Sequence, residues 1–131
     1  IFENSNIANL GDATGVRGSS TAGSLYFSLH TSDPGEAGDQ TTNEVAYTSY
    51  ARVAVARSSS GWTVSGNAVA VDADVTFPAG TGGSGTATHW GLGTASSGAG
   101  VLLYKGSISP TIACGSGVTP KLTAGTVVSE D

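Results

Sequence analysis

The sequence predicts an all-β fold, an antiparallel β-sandwich of jelly-roll-like type. Apolar residues recur at every second position in several segments after residue 23, and this is the period of half-buried strands. Turns rich in glycine, serine and proline, such as SDPGEAGDQ and PAGTGGSG, separate the segments. No ten-residue amphipathic pattern lies among them, so the helices of a βαβ fold are missing and a sandwich or barrel is favoured.

The N-terminal segment differs in kind from the rest of the chain. Phe2, Ile7 and Leu10 stand at roughly helical spacing, and the stretch TGVRGSSTAG that follows is typical of a flexible linker. We therefore predict an arm or short helix with a linker over residues 1–23 and a β-sandwich domain over residues 24–131. The apolar side chains of the arm are the candidates for contact with a neighbouring chain: Ile1, Phe2, Ile7 and Leu10.

Three segments give the clearest alternation. SLYFSLHT is predicted to turn Leu25, Phe27 and Leu29 inward and His30 outward, and NAVAVDADVTF is predicted to form one continuous strand. The inward residues of that second strand would be Val69, Val71, Ala73, Val75 and Phe77. YARVAVAR alternates in the same way, with Ala51, Val53 and Val55 on one face. Further strands are predicted to begin at Trp62 and to cover Thr86 to Gly93, Val101 to Ile108, Thr111 to Ala113 and Gly125 to Ser129.

Composition excludes several classes of function. The 131 residues suit one domain with a modest core. The net charge is −5 and the five basic residues are scattered, so nucleic acid is not an expected partner. The longest apolar stretches fall far short of the roughly 20 residues that span a bilayer, so no membrane partner is expected. Cys114 is the only cysteine, which excludes an intrachain disulfide, and the start at Ile1 without any methionine leads us to expect that a short N-terminal piece is missing or removed.

Motifs that suggest chemistry have simpler explanations. GTGGSG matches the dinucleotide-binding pattern, but TATHWGLG follows it and predicts a strand where that pattern needs a helix. His30 or His89 could join a serine and an aspartate in a triad, yet no G-x-S-x-G elbow exposes a serine. Cys114 is expected in a Gly/Ser turn as a neutral thiol. We therefore predict no catalytic residues and no cofactor.

The stretch LHTSDPGEAGDQ is dense in polar side chains. Its carboxylates Asp33, Glu36 and Asp39 are spaced three apart, and oxygen ligands of this kind bind calcium in some loops. They are also the only cluster to nominate for a glycosidase, which needs two facing carboxylates. Their spacing differs from an EF-hand, and Pro34-Gly35 favours a tight turn followed by an acidic, mobile surface loop.

The order of landmarks resembles a known family. LYFSLHTSDPGEAG, YTSYARVAV, SGWTVSGNAV, VTFPAG, GTATHWGLGTASSGAGVLLYKG and VTPKLTAG follow one another along nearly the whole chain beyond Gly23. This order is similar to that of small bacteriophage virion structural proteins, described as head decoration or tail-fibre-like proteins. The resemblance implies a virion location and no enzymatic activity.

Two hypotheses of function follow from the resemblance. The first is a capsid decoration, or cement, protein, a homotrimer made in the host cytoplasm that binds the major capsid protein on the outer surface of the phage head and stabilises the assembled lattice. The second is a tail-fibre or receptor-binding module that recognises cell-surface glycan, with Trp62, Trp90 and the tyrosines as candidates for stacking on sugar rings.

Overall fold

A computed structural model of the chain describes residue Phe2 and residues 23–125 and 127–129. These residues divide into two compact units. Unit 1 comprises Ile1–Ser24, Val55–Asp74 and Thr123–Asp131, and unit 2 comprises Leu25–Ala54 and Val75–Leu122. No helix in the described part is long and apolar enough to cross a membrane.

Unit 1 contains a three-stranded antiparallel sheet in the order β3-β4-β9. β3 (Trp62–Ser65) and β4 (Ala68–Val71) form a hairpin that turns at Gly66, whose φ of 61° favours glycine. β9 (Val127–Ser129) pairs with the other edge of β4. The core of this unit is built on the Trp62 indole, which is 1% exposed and meets the Phe2 ring edge-on at a centroid distance of 4.7 Å.

The strand predicted for NAVAVDADVTF is interrupted. β4 ends at Val71, and β5 (Val75–Thr76) belongs to unit 2. Between them the Asp72 carboxylate accepts a hydrogen bond from the Thr63 hydroxyl, and the Asp74 carboxylate accepts one from the backbone N–H of Ala124. Such side-chain bonds compete with a strand ladder. The prediction that Ala73 points inward was therefore wrong, because Ala73 is exposed, whereas the inward positions of Val69, Val71, Val75 and Phe77 are confirmed.

Unit 2 contains a two-stranded sheet of β5 and β8 and most of a four-stranded sheet in the order β2-β1-β6-β7, of which Ser24 in β1 and Val55 and Ala56 in β2 are assigned to unit 1. The strands are β1 (Ser24–His30), β2 (Val53–Ala56), β6 (Ser84–Gly93), β7 (Leu102–Gly115) and β8 (Lys121–Leu122). One face of the larger sheet is apolar, since the register pairs Phe27 with Leu92 and Leu29 with Trp90. All four side chains are buried, and the Phe27 and Trp90 rings meet edge-on at 5.8 Å.

The opposite face of β1 is also buried, which corrects the sequence prediction. His30 was expected to point outward, yet His30 and its neighbour on the same face, Ser28, are both 0% exposed. The segment between β1 and β2 folds back over this face, where His30 bridges to Glu44 and the Val45 N–H donates to the Leu29 carbonyl. When a strand is covered on both faces, neither face is exposed to solvent. The polar residues in its sequence then do not indicate exposed positions.

β7 is one strand of 14 residues where two had been predicted. Its pairing with β6 shifts register between Ala87 and His89, whose partners are Ile112 and Ser107. Four residues of β7, 108–111, therefore face a single intervening residue of β6 and leave the regular ladder. Pro110 lies in this excursion, as expected for a residue that lacks a backbone donor.

The fold class predicted from the sequence is confirmed as all-β and antiparallel. The strand pairs β1–β6, β3–β4, β4–β9, β5–β8 and β6–β7 are all antiparallel, and the described residues contain no helix. These sheets are consistent with a β-sandwich. The jelly-roll connectivity and the domain bounds 1–23 and 24–131 stay predictions, and most of the predicted arm lies outside the described residues.

Candidate interaction surface

The polar face of the unit 2 sheet is covered by the segment 31–52, and two glycines of β6 make room on this face, Gly91 for side chains of β1 and Gly93 for the segment. A side chain on Gly91 would press against His30 and Ser28, and a side chain on Gly93 would overlap the carboxamide of Gln40. Gly91 of the WGLG sequence therefore permits close packing of side chains from β1, and Gly93 permits close packing of the loop on the strand. This segment carries most of the polar residues noted in the sequence.

A buried ion pair anchors the segment. The guanidinium of Arg52, with its side chain 3% exposed, donates through Nε to Glu44 Oε1 at 2.7 Å and through Nη2 to Oε2 at 2.8 Å. The same guanidinium donates to the carbonyl oxygens of Ala95 at 3.0 Å and Gly98 at 2.7 Å. Four of its five N–H donors are thus used. The bond to Glu44 raises the pKa of Arg52, and the pair connects the segment to the loop between β6 and β7.

The phenol of Tyr50 and the imidazole of His30 extend this cluster toward β1. Tyr50 donates to Glu44 Oε1 at 2.7 Å and accepts from the Leu29 N–H, and burial raises its pKa above the ordinary range. His30 Nδ1 lies 2.7 Å from the Thr42 carbonyl oxygen, so Nδ1 carries the proton and Nε2 accepts from Ser28. Burial lowers the pKa of His30. We find no substrate-facing group in this arrangement, since each of these polar atoms is bonded within unit 2.

Gln40 holds the segment against the β6–β7 loop. Its side chain is 0% exposed, and its Oε1 accepts from the Ala95 N–H at 2.9 Å while its backbone N–H donates to the Ala99 carbonyl at 2.9 Å. The acidic stretch through Gln40 had been predicted as a mobile surface loop. That prediction was wrong at Gln40, because the residue is an anchor.

The tight turn predicted at Pro34-Gly35 is confirmed. Gly35 has a φ of 77°, and its N–H donates to the Asp33 carboxylate at 2.8 Å. Gly38 then passes so close to the Pro34 carbonyl that a side chain there would overlap it. Glycine is therefore favoured at both positions of this turn.

Lys105 of β7 reaches the turn and forms the polar rim of a cavity. Its Nζ lies 3.0 Å from Asp33 Oδ1 and 3.5 Å from Glu36 Oε1. The bond to Asp33 raises the pKa of Lys105, and the Gly35 N–H together with Lys105 lowers the pKa of Asp33. Both groups are therefore ionised near neutral pH. The Glu36 side chain is 97% exposed and remains accessible to a second cation.

A cavity of about 290 Å³ separates the turn from β7. Gly35, Glu36 and Gly38 line one side, and four consecutive residues, Leu102 to Lys105, line the other. Consecutive strand residues point to opposite faces, so a cavity that touches four in a row borders the edge of the strand. β7 is the last strand in the order of this sheet, and no described strand pairs with its outer edge.

The calcium candidates are not brought together. Asp33 and Glu36 share Lys105, whereas the Asp39 carboxylate accepts from the N–H and hydroxyl of Thr41, which lower its pKa. No group of three or more metal-ligating side chains that could hold an ion occurs in the described residues. The three carboxylates serve turns and a surface ion pair in this structure.

The tryptophans, the cysteine and the one described arm residue, which the sequence suggested as functional residues, are buried in the core. Trp62 and Trp90 are 1% and 7% exposed, so neither indole presents a face to a sugar. Cys114, expected in a turn, lies in β7 and is buried, and burial raises the pKa of its thiol, which keeps it neutral. Of the predicted arm residues Ile1, Phe2, Ile7 and Leu10, only Phe2 is described, and it is buried against Trp62 of its own chain.

GTGGSG leads into a strand, as predicted, because β6 begins at Ser84. The pairing of Gly80 with Ser116 and of Gly82 with Thr48 explains the glycines by close backbone approach. His89 lies in β6 opposite His30, with Nδ1 2.9 Å from the Thr88 hydroxyl. The helix N-terminus that a pyrophosphate needs does not follow this loop.

Sequence reasoning missed the Glu44–Arg52 pair and the edge of β7. The signal for the pair was an arginine inside the alternating segment YARVAVAR in a chain with only 11% charged residues. A charge at such a position is costly unless it is paired. The signal for the edge was Pro110 within a strand pattern, which indicates an edge strand.

The chain is thus an all-β protein whose clustered polar side chains serve turns and packing, as in a structural protein. Residues 8–130 match the family of Podophage GP4 fiber I protein gp80. The match covers most of the chain, so the protein belongs to this family of phage fibre proteins. No curated protein matches the chain.

Proposed function

We propose that the protein is a structural component of a phage fibre that acts by assembly and carries out no catalysis. The observation that carries the proposal is the family match over residues 8–130. The structure supports a structural role because the buried titratable side chains around the segment 31–52, those of His30, Glu44 and Arg52, bond to neighbouring side chains or to main chain. An acid or base in an active site would instead face a cavity that admits a substrate.

The fibre proposal replaces capsid decoration as the preferred location in the virion. The sequence resemblance implied either a head decoration protein or a fibre-like protein, and the family description favours the fibre. Binding to the major capsid protein and a position on the outer surface of the head belong to the decoration alternative. The two differ in copy number, since a decoration protein approaches the abundance of the capsid subunit.

Recognition of a cell-surface glycan is a further task that a fibre could have, but the buried Trp62 and Trp90 do not provide stacking surfaces for it. The half-buried Tyr104 beside Lys105 at the β7 cavity is the aromatic residue best placed for such a contact. The proposal of a structural fibre component does not depend on this task.

The test is quantitative mass spectrometry of purified virions, with the major capsid protein as the internal reference. A fibre component is expected at a small fraction of the capsid copy number and to be lost from particles that lack fibres. Near-equal abundance with the capsid protein, retained on fibreless heads, would support the decoration alternative and contradict the fibre proposal.

A further inference from the structure

We propose that the loop of residues 32–42, named here the cover loop, is an acid-sensitive cover that lifts from the unit 2 sheet when the buried imidazole of His30 takes up a second proton. The contact that responds is the one between His30 Nδ1 and the Thr42 carbonyl oxygen, at 2.7 Å. The change takes place within unit 2 and does not depend on the assignment of the chain to a fibre.

The cover loop is joined to the rest of unit 2 by few buried contacts. Of its residues only Pro34 and Gln40 are buried, and neither supplies a large apolar side chain. Loops with so few buried apolar contacts open at a lower free energy than the core. Val45 and Tyr47, which follow the loop, are 3% and 2% exposed, so the chain beyond the loop stays in the core when the loop moves.

The base of the cover loop is closed by Thr31 and Asn43. The Thr31 N–H donates to the Asn43 carbonyl oxygen at 2.7 Å, and the Thr31 hydroxyl donates to the same oxygen at 3.1 Å. Asn43 has a φ of 56°, a left-handed conformation that asparagine adopts more readily than most residues. Because the two ends are bonded to each other, the loop can move as a unit about this base while the Glu44–Arg52 pair stays in place.

The closed loop leaves His30 no favourable site for a second proton. Nδ1 donates to Thr42, and Nε2 accepts from the Ser28 hydroxyl at 2.9 Å. A proton on Nε2 removes this acceptor, so the Ser28 hydroxyl must reorient. The residue is 0% exposed, so an imidazolium would also lack contact with water. Protonation therefore costs less when the cover loop has moved aside and water reaches the ring.

The charged groups of the segment 31–52 do not compensate an imidazolium at this position. The Glu44 carboxylate attracts a positive charge on His30, but the Arg52 guanidinium bound to it repels that charge. Tyr50 adds no charge, since its neutral hydroxyl donates to Glu44. The pair is therefore balanced with His30 neutral and carries an excess positive charge with His30 protonated.

The strands beneath His30 bring two further basic groups to the same face. His89 of β6 lies directly opposite His30 in the register, and its charge repels a proton on His30. Lys105 of β7 lies on this face two strands away, because Gly91 pairs with both Ser28 and Lys105. Its ammonium is bound by Asp33 at 3.0 Å. Neither strand supplies a carboxylate to an imidazolium at His30.

The direction of the switch follows from proton linkage. Burial lowers the pKa of His30 while the cover loop is closed. When the loop has lifted, the ring is hydrated and its pKa returns toward the ordinary value of about 6.5. As the pH falls below that value, the open form binds the proton more tightly than the closed form does. The opening equilibrium therefore shifts toward the open form in acid.

The first experiment is amide hydrogen exchange of the full chain by NMR at about pH 7.5 and about pH 5, with each rate corrected for the intrinsic effect of pH. Histidine is the side chain whose charge ordinarily changes in this interval. Hydrogen bonds within the loop lower the pKa of Asp33 and Asp39, so these carboxylates stay ionised. The reporters are two amides that the closed loop holds, the Gln40 N–H bonded to the Ala99 carbonyl and the Ala95 N–H bonded to the Gln40 carboxamide.

We expect the protection of both reporters to fall several-fold, up to about 30-fold, the limit for an open-form pKa of about 6.5 and a closed form that takes up no proton. The Val45 and Phe77 amides, which donate to Leu29 and Pro120, should keep their protection because they lie outside the loop. Unchanged protection at Gln40, or an equal fall at Val45 and Phe77, would overturn the proposal.

The second experiment assigns the effect to one imidazole. In His30→Gln the carboxamide can donate to Thr42 and accept from Ser28, as the neutral ring does, but it takes up no proton. The fall at Gln40 should then nearly disappear. His89→Gln is the matched control and should retain most of the fall. A full pH dependence in His30→Gln, or its loss in His89→Gln alone, would contradict the assignment.

The third measurement needs no variant. The Cε1 proton of His30 reports protonation of the ring by NMR in the wild-type chain. The loss of Gln40 protection should begin near pH 6.5, the ordinary histidine value, and should stop increasing at the lower pH where the His30 ring itself titrates. A His30 ring that titrates like a free histidine while Gln40 protection keeps falling would show that another group drives the opening.

Discussion

Arg52→Ala tests the anchor that fixes the segment 31–52 on the sheet. The substitution removes both bonds to Glu44 and those to the Ala95 and Gly98 carbonyls. Removing one partner of a buried ion pair costs about 3–5 kcal/mol, because the other charge stays buried and unpaired. Glu44 is 15% exposed and keeps the Tyr50 hydroxyl as a donor, so we expect the lower end, about 3 kcal/mol.

The assay is urea unfolding at low protein concentration, followed by the fluorescence of the two buried tryptophans. With an m-value of about 1–3 kcal/mol/M, the midpoint should fall by about 1–3 M. Lys105→Ala is the matched control, since it removes an ion pair that is open to solvent and should change the midpoint little. Arg52→Lys should lie between, because an ammonium does not reproduce the bidentate contact. Equal midpoints for Arg52→Ala and Lys105→Ala would refute the anchoring role.

Three further predictions concern the same unit. Burial lowers the pKa of His30, so the unfolded state binds the proton of this imidazole more readily than the folded state does. The stability that neutral His30 contributes is therefore complete above about pH 6.5 and is lost as the pH falls below that value. His30→Gln should flatten this pH dependence in urea titrations at a series of pH values. Gly93→Ala should lower the free energy of unfolding by about 1–3 kcal/mol because its methyl group displaces Gln40, whereas Gly85→Ala on the same strand, with open space at its Cβ, should not show that loss in thermal melts. The Cys114 thiol should react with iodoacetamide far more slowly in the native protein than in urea, and equal rates would show that it is not buried.

The alternation of the sequence predicted which residues of several strands are buried, because burial of one face is a local property, but it did not predict the interruption between β4 and β5 or the continuity of β7. Phe27 and Leu29 fall where they were expected, and so do Val69 and Val71. Alternation failed where a second layer covers a strand. His30 lies under residues 42–44, and that cover depends on a loop closing over the sheet, which no local pattern encodes.

The functional surface was less accessible to sequence reasoning than the fold. Asp33 and Glu36 drew attention as carboxylates, but their partner Lys105 is about 70 residues further along the chain. The tryptophans suggested stacking on sugar rings, but the Trp62 indole is buried and fills the core of unit 1. An edge strand is a property of the sheet order, so β7 became a candidate surface only when the order was known.

The location of this chain in the phage particle tests the central claim most directly. Cryo-electron microscopy of intact virions, with the chain marked by a specific antibody fragment, distinguishes fibres from the head shell. We predict label on the fibres and none on the capsid lattice. Label distributed over the head surface, at a density comparable with the capsid subunits, would contradict the account.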